Sequence, residues 1–213
     1  MQGIWLAAVM AGLALLAPAA PVPAASAPTQ AAAQHSILAP RQSDRILGNP
    51  NAPITIIEYA SLSCPHCAHF DEDVLPQIKK HWIDTGKAKL ILRDFPLDAP
   101  ALMAAMIARC APPDRFYPFV NALFADQQQW VLAANEQEAL LRIAKLGGIS
   151  TQKAETCLKN KALEDSIVRE RLVAAQDLGV NATPTFFVNG KKFTGEPTVA
   201  AFDQLLSSLA PKA

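Results

Sequence analysis

The chain has 213 residues, of which 51% are hydrophobic, enough for one or two domains with a sizeable core. This composition excludes an intrinsically disordered chain. Lysine plus arginine and aspartate plus glutamate each total 19, so the formal net charge is zero. The charge balance therefore argues against a partner recognised mainly by charge, such as a nucleic acid or an anionic membrane.

The first forty residues differ from the rest of the chain. No Asp, Glu, Lys or Arg precedes Arg41, and residues 3–17 form an apolar run rich in Ala and Leu. Residues 1–25 are therefore predicted to be a secretory signal peptide, with Ala17-Pro18-Ala19 as a small-x-small cleavage site. The alternative is an uncleaved anchor, since the run approaches the roughly 20 residues that span a membrane. Either interpretation places the remaining chain outside the cytoplasm.

Residues 26–42 contain mainly Ala, Pro, Ser, Thr and Gln, without apolar periodicity, and predict a flexible linker. A short edge strand at 43–47 and a turn cluster at 48–53 follow. Alternating apolar residues then predict a strand over 54–61, and Glu58 falls on the face that carries Ile54 and Ile56.

Next come a helix and a second strand. A helical apolar period begins at the cysteines near residue 64 and runs to Trp82, and we expect Pro76 to kink this helix. Residues 89–93 predict a strand parallel to the first, so that the segment forms a βαβ unit. Asp71, Glu72 and Asp73 are interpreted as a solvated acidic face near the helix start.

From residue 99 to residue 178 the pattern is helical throughout. It predicts an inserted all-helical subdomain, with helices over 101–110, 116–130, 136–146, 151–159 and 163–178. Strand character resumes at 185–188, followed by a type I′ turn at Asn189-Gly190 and a short partner strand at 191–193. A last helix over 199–209 has Thr198 as its expected N-cap. Residues 43–98 and 179–213 thus form one α/β domain around the insert.

The four cysteines divide into two pairs. Cys64 and Cys67 lie where the first strand passes into the helix, on one face of the first helical turn. Free N–H groups and the helix dipole there favour a thiolate at Cys64, which is the reactive form. Cys110 and Cys157, both in the helical segment, would close a large loop and predict a structural disulfide. Two free buried thiols are the alternative for this second pair.

The order of these elements resembles the DsbA family of thioredoxin-fold thiol:disulfide oxidoreductases over residues 43–210. The motifs that carry the resemblance are Cys64-Pro65-His66-Cys67 and the segment 179–185 around Thr183-Pro184. The resemblance implies an α/β thioredoxin fold with an inserted all-helical subdomain. Thr183 departs from the family pattern, because a Thr before the proline is more similar to thioredoxin-fold isomerases.

The resemblance also implies a role for each residue of the motif. Cys64 would be the attacking thiolate, Cys67 the buried resolving thiol, and His66 a donor or positive charge that lowers the pKa of Cys64. Glu58 would relay protons to and from Cys67, with an ordinary half-exposed strand carboxylate as the alternative. Thr183 would precede a cis Pro184 and pair its backbone with an extended substrate chain.

The sequence therefore predicts a periplasmic disulfide oxidase that acts as a monomer without a cofactor. Its expected partners are folding exported proteins with free thiols and, by resemblance alone, a DsbB-type membrane oxidant. A disulfide isomerase or reductase is the second hypothesis. The third is a metal site formed by Cys64, His66, Cys67 and His69, although these ligands are too close in sequence to converge on one ion.

Overall fold

A five-stranded mixed sheet forms the centre of the structure, a computed structural model that describes residues 29–210. The strands are β1 (Ile46–Gly48), β2 (Ile54–Ala60), β3 (Ala88–Asp94), β4 (Thr185–Val188) and β5 (Lys191–Lys192). Their spatial order is β1-β3-β2-β4-β5. β2 and β3 are parallel, and the other neighbouring pairs are antiparallel. The predicted βαβ unit and terminal hairpin are therefore present.

The helices cover both faces of this sheet. They are α1 (Gln30–Leu38), α2 (beginning as Pro65–His69), α3 (Ala99–Arg109), α4 (Phe116–Ala125), α5 (Gln127–Val131), α6 (Glu136–Leu146), α7 (Thr151–Leu158), α8 (Lys161–Asp177) and α9 (Val199–Leu209). The α/β fold class with a run of helices between β3 and β4 is confirmed. The predicted signal peptide, residues 1–25, lies outside the described residues.

Alternation along β2 divides the core into two parts. Ile54 and Ile56 face α2, α9 and the helical subdomain, within one continuous apolar cluster that also contains Trp130. Ile57 and Tyr59 point to the opposite face, where α1 and α8 cover the sheet. Because side chains in a strand alternate between faces, Glu58 is directed into the same side of the core as Ile56.

Residues 30–38 form α1, so the prediction of a flexible linker over 26–42 is wrong for this segment. The segment is rich in alanine, which favours a helix once tertiary contacts hold it in place. Leu38 packs into the core, and the buried Arg93 guanidinium donates to the carbonyls of Ile37 (2.8 Å) and Ala39 (3.0 Å). These contacts come from a distant strand, so local composition gave no sign of them.

α2 continues to Ile83 through alternating helix types. After Pro65–His69 it passes through the π-helical Phe70–Val74, the α-helical Leu75–Ile78 and the π-helical Lys79–Ile83. Pro76 stands in the first turn after the first π segment. The irregularity predicted for this proline therefore takes the form of a π turn before it, where the hydrogen-bonding pattern is already shifted.

The helical subdomain differs from its prediction at one point. A single helix was predicted over 116–130, whereas the chain breaks at Asp126 (φ −98°, ψ 14°) into α4 and α5.

A disulfide joins Cys110, at the end of α3, to Cys157 in α7 across 47 positions of sequence. No helix of residues 29–210 has both the length and the apolar character needed to cross a membrane.

Candidate active site

The two remaining cysteines lie at the junction of β2 and α2. The backbone N–H of Cys64 donates to the carbonyl of Ser61 (3.1 Å), which closes a turn between the strand and the helix. Cys64 occupies the N-cap with extended backbone angles, and Pro65 follows inside the first turn, where its missing N–H has no consequence. The Cys64 carbonyl accepts the first helical hydrogen bonds, from the N–H groups of Cys67 and Ala68 (3.1 Å each).

Cys64 is surrounded by donors that stabilise its thiolate. Hydrogen bonding from the Cys67 thiol is the strongest of these influences, and the Thr183 side chain and the backbone N–H groups of Cys67 and His66 add to it. They outweigh partial burial, which acts in the opposite direction, and lower the pKa of Cys64 to about 5. At neutral pH the Cys64 sulfur is therefore a thiolate.

Cys67 has the opposite environment. Its side chain is 0% exposed, and burial raises the pKa of the Cys67 thiol far above its ordinary value. The hydrogen bond that it shares with Cys64 and the nearby Glu58 carboxyl raise the pKa further. The pair thus combines an ionised outer sulfur with a protonated inner sulfur.

His66 and Pro65 are exposed on the surface beside Cys64. Among residues 29–210, no hydrogen bond joins the His66 imidazole to the Cys64 sulfur. The contribution of His66 comes through its backbone N–H. The predicted action of the His66 imidazole on Cys64 therefore stays a prediction, since the main-chain N–H is a donor that any residue other than proline offers.

The Thr183-Pro184 peptide is cis and lies against Cys64. In the thiol form the Cys64 Sγ donates to the Thr183 carbonyl at 3.2 Å. The Thr183 hydroxyl is buried and has no hydrogen-bond partner within residues 29–210. A buried hydroxyl without a partner is free to donate to the thiolate once it forms.

Thr183→Val should raise the pKa of Cys64 because it removes this donor at nearly constant volume. A hydrogen bond to a charged group contributes about 1.5–3 kcal/mol, so the expected rise is about 1–2 pKa units. Thiolate absorbance in the ultraviolet, titrated against pH, measures the change. Thr194→Val, which alters an exposed threonine, is the control and should leave the pKa of Cys64 unchanged.

Glu58 and Asp71 place two carboxyl groups behind the cysteines. Glu58 is 2% exposed, and its Oε1 has no hydrogen-bond partner within residues 29–210. Burial raises the pKa of Glu58 well above its ordinary value, and the Asp71 and Cys64 charges raise it further. Glu58 therefore does not have the half-exposed setting of the alternative interpretation.

Asp71 is buried, so the interpretation of 71–73 as a uniformly solvated acidic face is wrong at this position. Burial, with a smaller contribution from Glu72, raises the pKa of Asp71 to about 7. With its side-chain amide oriented to satisfy its neighbours, Asn121 of α4 donates to Asp71 Oδ1 (3.3 Å). The sequence held a signal, since Asp71 follows Cys67 by four residues and precedes Val74 by three, on the buried helical face.

Sequence analysis also missed Gln127, in α5. Its side chain is 6% exposed, and Nε2 donates to the carbonyls of Leu62 (2.8 Å) and Cys64 (3.0 Å). Gln127 lies four residues after Leu123 and three before Trp130, both fully buried, and this spacing could have placed it on the inner face. On the other side of the turn, the Ser63 hydroxyl donates to Asp98 (2.7 Å).

Among residues 29–210, no group of three or more His, Cys, Asp or Glu side chains is placed to hold a metal ion. The metal hypothesis therefore has no geometric basis at Cys64, His66, Cys67 and His69. His69 instead contacts Asp73 through Nδ1 and Oδ2 (2.6 Å) on the exposed side of α2.

A fold with a dithiol at the start of the first long helix and a cis proline opposite it defines a thioredoxin-type protein. A family model described as Thioredoxin matches residues 41–208. Among solved structures, α-DsbA1 of Wolbachia pipientis is 35% identical, with a TM-score of 0.77 over 83% of this chain and 95% of that one. The chain belongs to the DsbA family of thioredoxin-fold proteins.

Two further relatives bear on the activity. A putative protein-disulfide oxidoreductase of Rickettsia conorii is 33% identical over 80% of this chain and 63% of its own length. A structure described as a protein-disulfide isomerase from Novosphingobium aromaticivorans is 28% identical, with a TM-score of 0.67 over 78% of this chain and 97% of that one. The matched part of this chain spans 55% of the length of a similar putative protein-disulfide oxidoreductase of Rickettsia typhi.

Proposed function

We propose that this protein is an exported thiol:disulfide oxidase that donates a Cys64–Cys67 disulfide to folding proteins. The observation that carries the proposal is the contrast between the two sulfurs. Cys64 has a pKa of about 5, whereas the buried Cys67 remains protonated. A stabilised Cys64 thiolate favours the reduced form of the pair, so the corresponding disulfide is a strong oxidant.

The reaction consists of two thiol–disulfide exchanges. A substrate thiolate attacks the Cys64 sulfur, a mixed disulfide forms, and Cys67 leaves as a thiolate that takes up a proton. A second substrate thiolate then attacks the substrate sulfur of the mixed disulfide, and Cys64 leaves as a thiolate. The substrate loses two electrons and gains a disulfide, while the Cys64–Cys67 pair gains the two electrons. The low pKa of Cys64 makes it a good leaving group in the second step.

Glu58 is the proposed proton donor to Cys67. The raised pKa of this carboxyl keeps it protonated to a higher pH than an ordinary glutamate, and its charge acts on the Cys67 thiol. A protonated Glu58 can give its proton to Cys67 as that sulfur leaves, and it can take the proton back in the reverse reaction.

Glu58→Gln should remove the part of the pH dependence of the substrate oxidation rate that comes from ionisation of Glu58. Below the Glu58 pKa the wild-type carboxyl supplies a proton, so the wild type should react faster than the variant. Above that pKa an ionised Glu58 opposes the leaving Cys67 thiolate, so the wild type should react more slowly. The ratio of wild-type to variant rates, measured by stopped flow with a reduced peptide, should fall about tenfold as pH rises, which is modest for positioned proton transfer.

Asp71→Asn provides the matched comparison for this experiment. It removes the nearby charge that raises the pKa of Glu58 and leaves Glu58 in place. The same fall in the rate ratio should therefore occur at lower pH in the Asp71→Asn background. A rate ratio that stays constant with pH would remove Glu58 from the mechanism.

The cis-proline segment is the proposed substrate-binding wall. A groove of about 550 Å³ runs beside Cys64, and its lining includes His66, Thr183, Pro184 and residues 195–199 at the start of α9. The Thr183 N–H has no hydrogen-bond partner within residues 29–210 and is free to pair with an extended chain. Such pairing through the main chain depends little on substrate sequence, which suits a protein that acts on many unfolded chains.

An isomerase is the second candidate function, and two observations favour it. Thr183 precedes the cis proline, as in thioredoxin-fold isomerases, and one similar structure is described as a protein-disulfide isomerase. An isomerase must be kept reduced, whereas an oxidase must be reoxidised. The direction of electron flow therefore separates the two.

The test combines a redox equilibrium with two activity assays. We expect the Cys64–Cys67 pair to equilibrate with glutathione as a strong oxidant and to oxidise reduced ribonuclease rapidly. Repair of scrambled ribonuclease should be slow by comparison. A reduction potential near that of thioredoxin, about −270 mV, together with efficient repair and little oxidation, would favour the isomerase.

The proposed setting is the periplasm, with residues 1–25 as the signal peptide. Folding exported proteins with free thiols are the proposed substrates, and a DsbB-type membrane protein is the proposed oxidant that restores the disulfide. The protein is proposed to act as a monomer and without a cofactor.

The Cys110–Cys157 disulfide is proposed to be structural. Its 47-residue separation corresponds in the chain-entropy picture to about 4 kcal/mol of stabilisation. A stable disulfide of this kind also fits an oxidising compartment.

A further inference from the structure

Within residues 29–210, Gln127 is the side chain of the helical subdomain that hydrogen-bonds the carbonyls of the turn carrying Cys64. Gln127 reaches across 63 positions of sequence and donates both N–H bonds of its amide, to the carbonyls of Leu62 and Cys64. Its neighbours Gln128 and Gln129 are exposed, so only the first of three successive glutamines is buried. Of these three glutamines, Gln127 alone hydrogen-bonds the turn within residues 29–210.

The Cys64 carbonyl is a sensitive place for such a contact. It already accepts the N–H groups of Cys67 and Ala68, so its direction fixes how the first turn of α2 begins. The backbone N–H groups of His66 and Cys67 in this same turn stabilise the Cys64 thiolate. A rotation of the Cys64 carbonyl would tilt these donors away from the sulfur.

The helix that carries Gln127, α5, is fixed in the core of the helical subdomain. α5 is a short helix whose Trp130 is fully buried and donates through Nε1 to the Leu123 carbonyl (2.7 Å). Gln127 therefore extends from a fixed point in the subdomain core. The Ser63–Asp98 hydrogen bond restrains the residue before Cys64, but it does not reach either carbonyl that Gln127 holds.

We infer that Gln127 is a positioning residue through which the helical subdomain sets the reactivity of Cys64. The inference rests on the proposed function, because it concerns the same dithiol. It assigns to the inserted helices a part in the redox chemistry, in addition to their place in the core. Gln127 acts on the backbone donors around the sulfur and does not touch the reacting atoms.

The test is Gln127→Met, which keeps the length of the side chain and removes its donors. We expect the pKa of Cys64 to rise by about one unit, with an approximately tenfold fall in the oxidising equilibrium constant against glutathione. Gln137→Met, which alters an exposed glutamine of α6, is the control and should change neither quantity. If the Met variant does not fold, Gln127→Asn takes its place, because it keeps the amide on a side chain too short to reach both carbonyls. The same changes in the Cys64 pKa and the glutathione equilibrium are then expected.

The two quantities separate this inference from a purely structural role. If the variants lose stability but retain the wild-type Cys64 pKa and glutathione equilibrium, the inference is wrong. The thiolate titration requires no substrate, so it tests Gln127 even if the protein fails to oxidise reduced ribonuclease. That second failure would count against the proposed function alone.

Discussion

Cys64→Ser should abolish disulfide donation, whereas Cys67→Ser should leave a protein that forms mixed disulfides and cannot resolve them. The reason is the difference between the sulfurs, since Cys64 is ionised at neutral pH and Cys67 is buried and protonated. In Cys64→Ser the remaining thiol has neither the charge nor the access to react. In Cys67→Ser the outer thiolate still attacks a disulfide, but no inner thiol follows.

Alkylation of the reduced wild-type protein gives the quantitative form of this prediction. A low pKa increases the fraction of thiolate but reduces the intrinsic nucleophilicity of the sulfur, and near pH 7 the two effects nearly cancel. The alkylation rates of Cys64 and a model thiol differ clearly only below pH 7. At pH 6, where ordinary thiols are almost entirely protonated, Cys64 should react about tenfold faster than a model thiol.

The shape of the profile provides the check. With a pKa of about 5, the alkylation rate of Cys64 should be nearly constant between pH 6 and pH 8. The rate of an ordinary thiol rises almost tenfold per pH unit over much of this range. A steeply rising Cys64 rate, or disulfide donation by Cys64→Ser, would contradict the assignment of the two sulfurs.

Elements with both a periodic pattern and a terminal signal could be predicted from the sequence to the residue. The helices Glu136–Leu146 and Val199–Leu209 and the strand Thr185–Val188 have the predicted bounds. Thr198 caps the last helix by accepting the Ala201 N–H (3.2 Å), as expected. At the turn, Asn189 and Gly190 both have positive φ, of 47° and 79°, which the type I′ geometry requires.

What escaped prediction depends on contacts between distant parts of the chain. α1 has the composition of a linker and is held by Arg93, more than fifty residues away. Asp71 belongs to an acidic triplet, and only the packing of α2 decides which member is buried. Gln127 is likewise one of three identical residues. Composition and periodicity describe local preferences, so they do not say which polar side chain of a run turns inward.

The cysteine motif, by contrast, could be located because its chemistry is local. A two-residue spacing at a strand-to-helix junction is enough to place both sulfurs on the first helical turn. Part of the electrostatic surroundings is not local, since Thr183, 119 positions away in sequence, reaches Cys64 from the segment that precedes β4, the antiparallel partner of β2. The sequence thus indicates where the reaction occurs, and the fold determines how strongly the site is tuned.

Arg93→Met should destabilise the protein by about 3–5 kcal/mol, because it leaves buried partners without their counter-charge. The Arg93 side chain is 0% exposed and bonds the Asp44 carboxylate through Nη2 (2.9 Å) and Nε (3.3 Å). It also donates to the Tyr59 hydroxyl (3.2 Å). Denaturant unfolding measures the loss, and hydrogen exchange should show faster exchange over residues 30–38 as the carbonyl contacts of α1 disappear.

Two comparisons decide whether the buried charge is the cause. The double variant Arg93→Met, Asp44→Leu removes both charges of the pair, so it should be more stable than the sum of the single variants predicts. Lys79→Met breaks an exposed ion pair with Asp84 and should cost no more than about 1 kcal/mol. If the two single effects simply add, the unpaired Asp44 charge is not the cause, and the contribution of Arg93 comes from its other contacts, which include hydrogen bonds to the Ile37 and Ala39 carbonyls and the Tyr59 hydroxyl. In that case faster exchange over residues 30–38 should still follow Arg93→Met, because the hydrogen bonds to the carbonyls of Ile37 and Ala39 are lost whether or not Asp44 is coupled to Arg93.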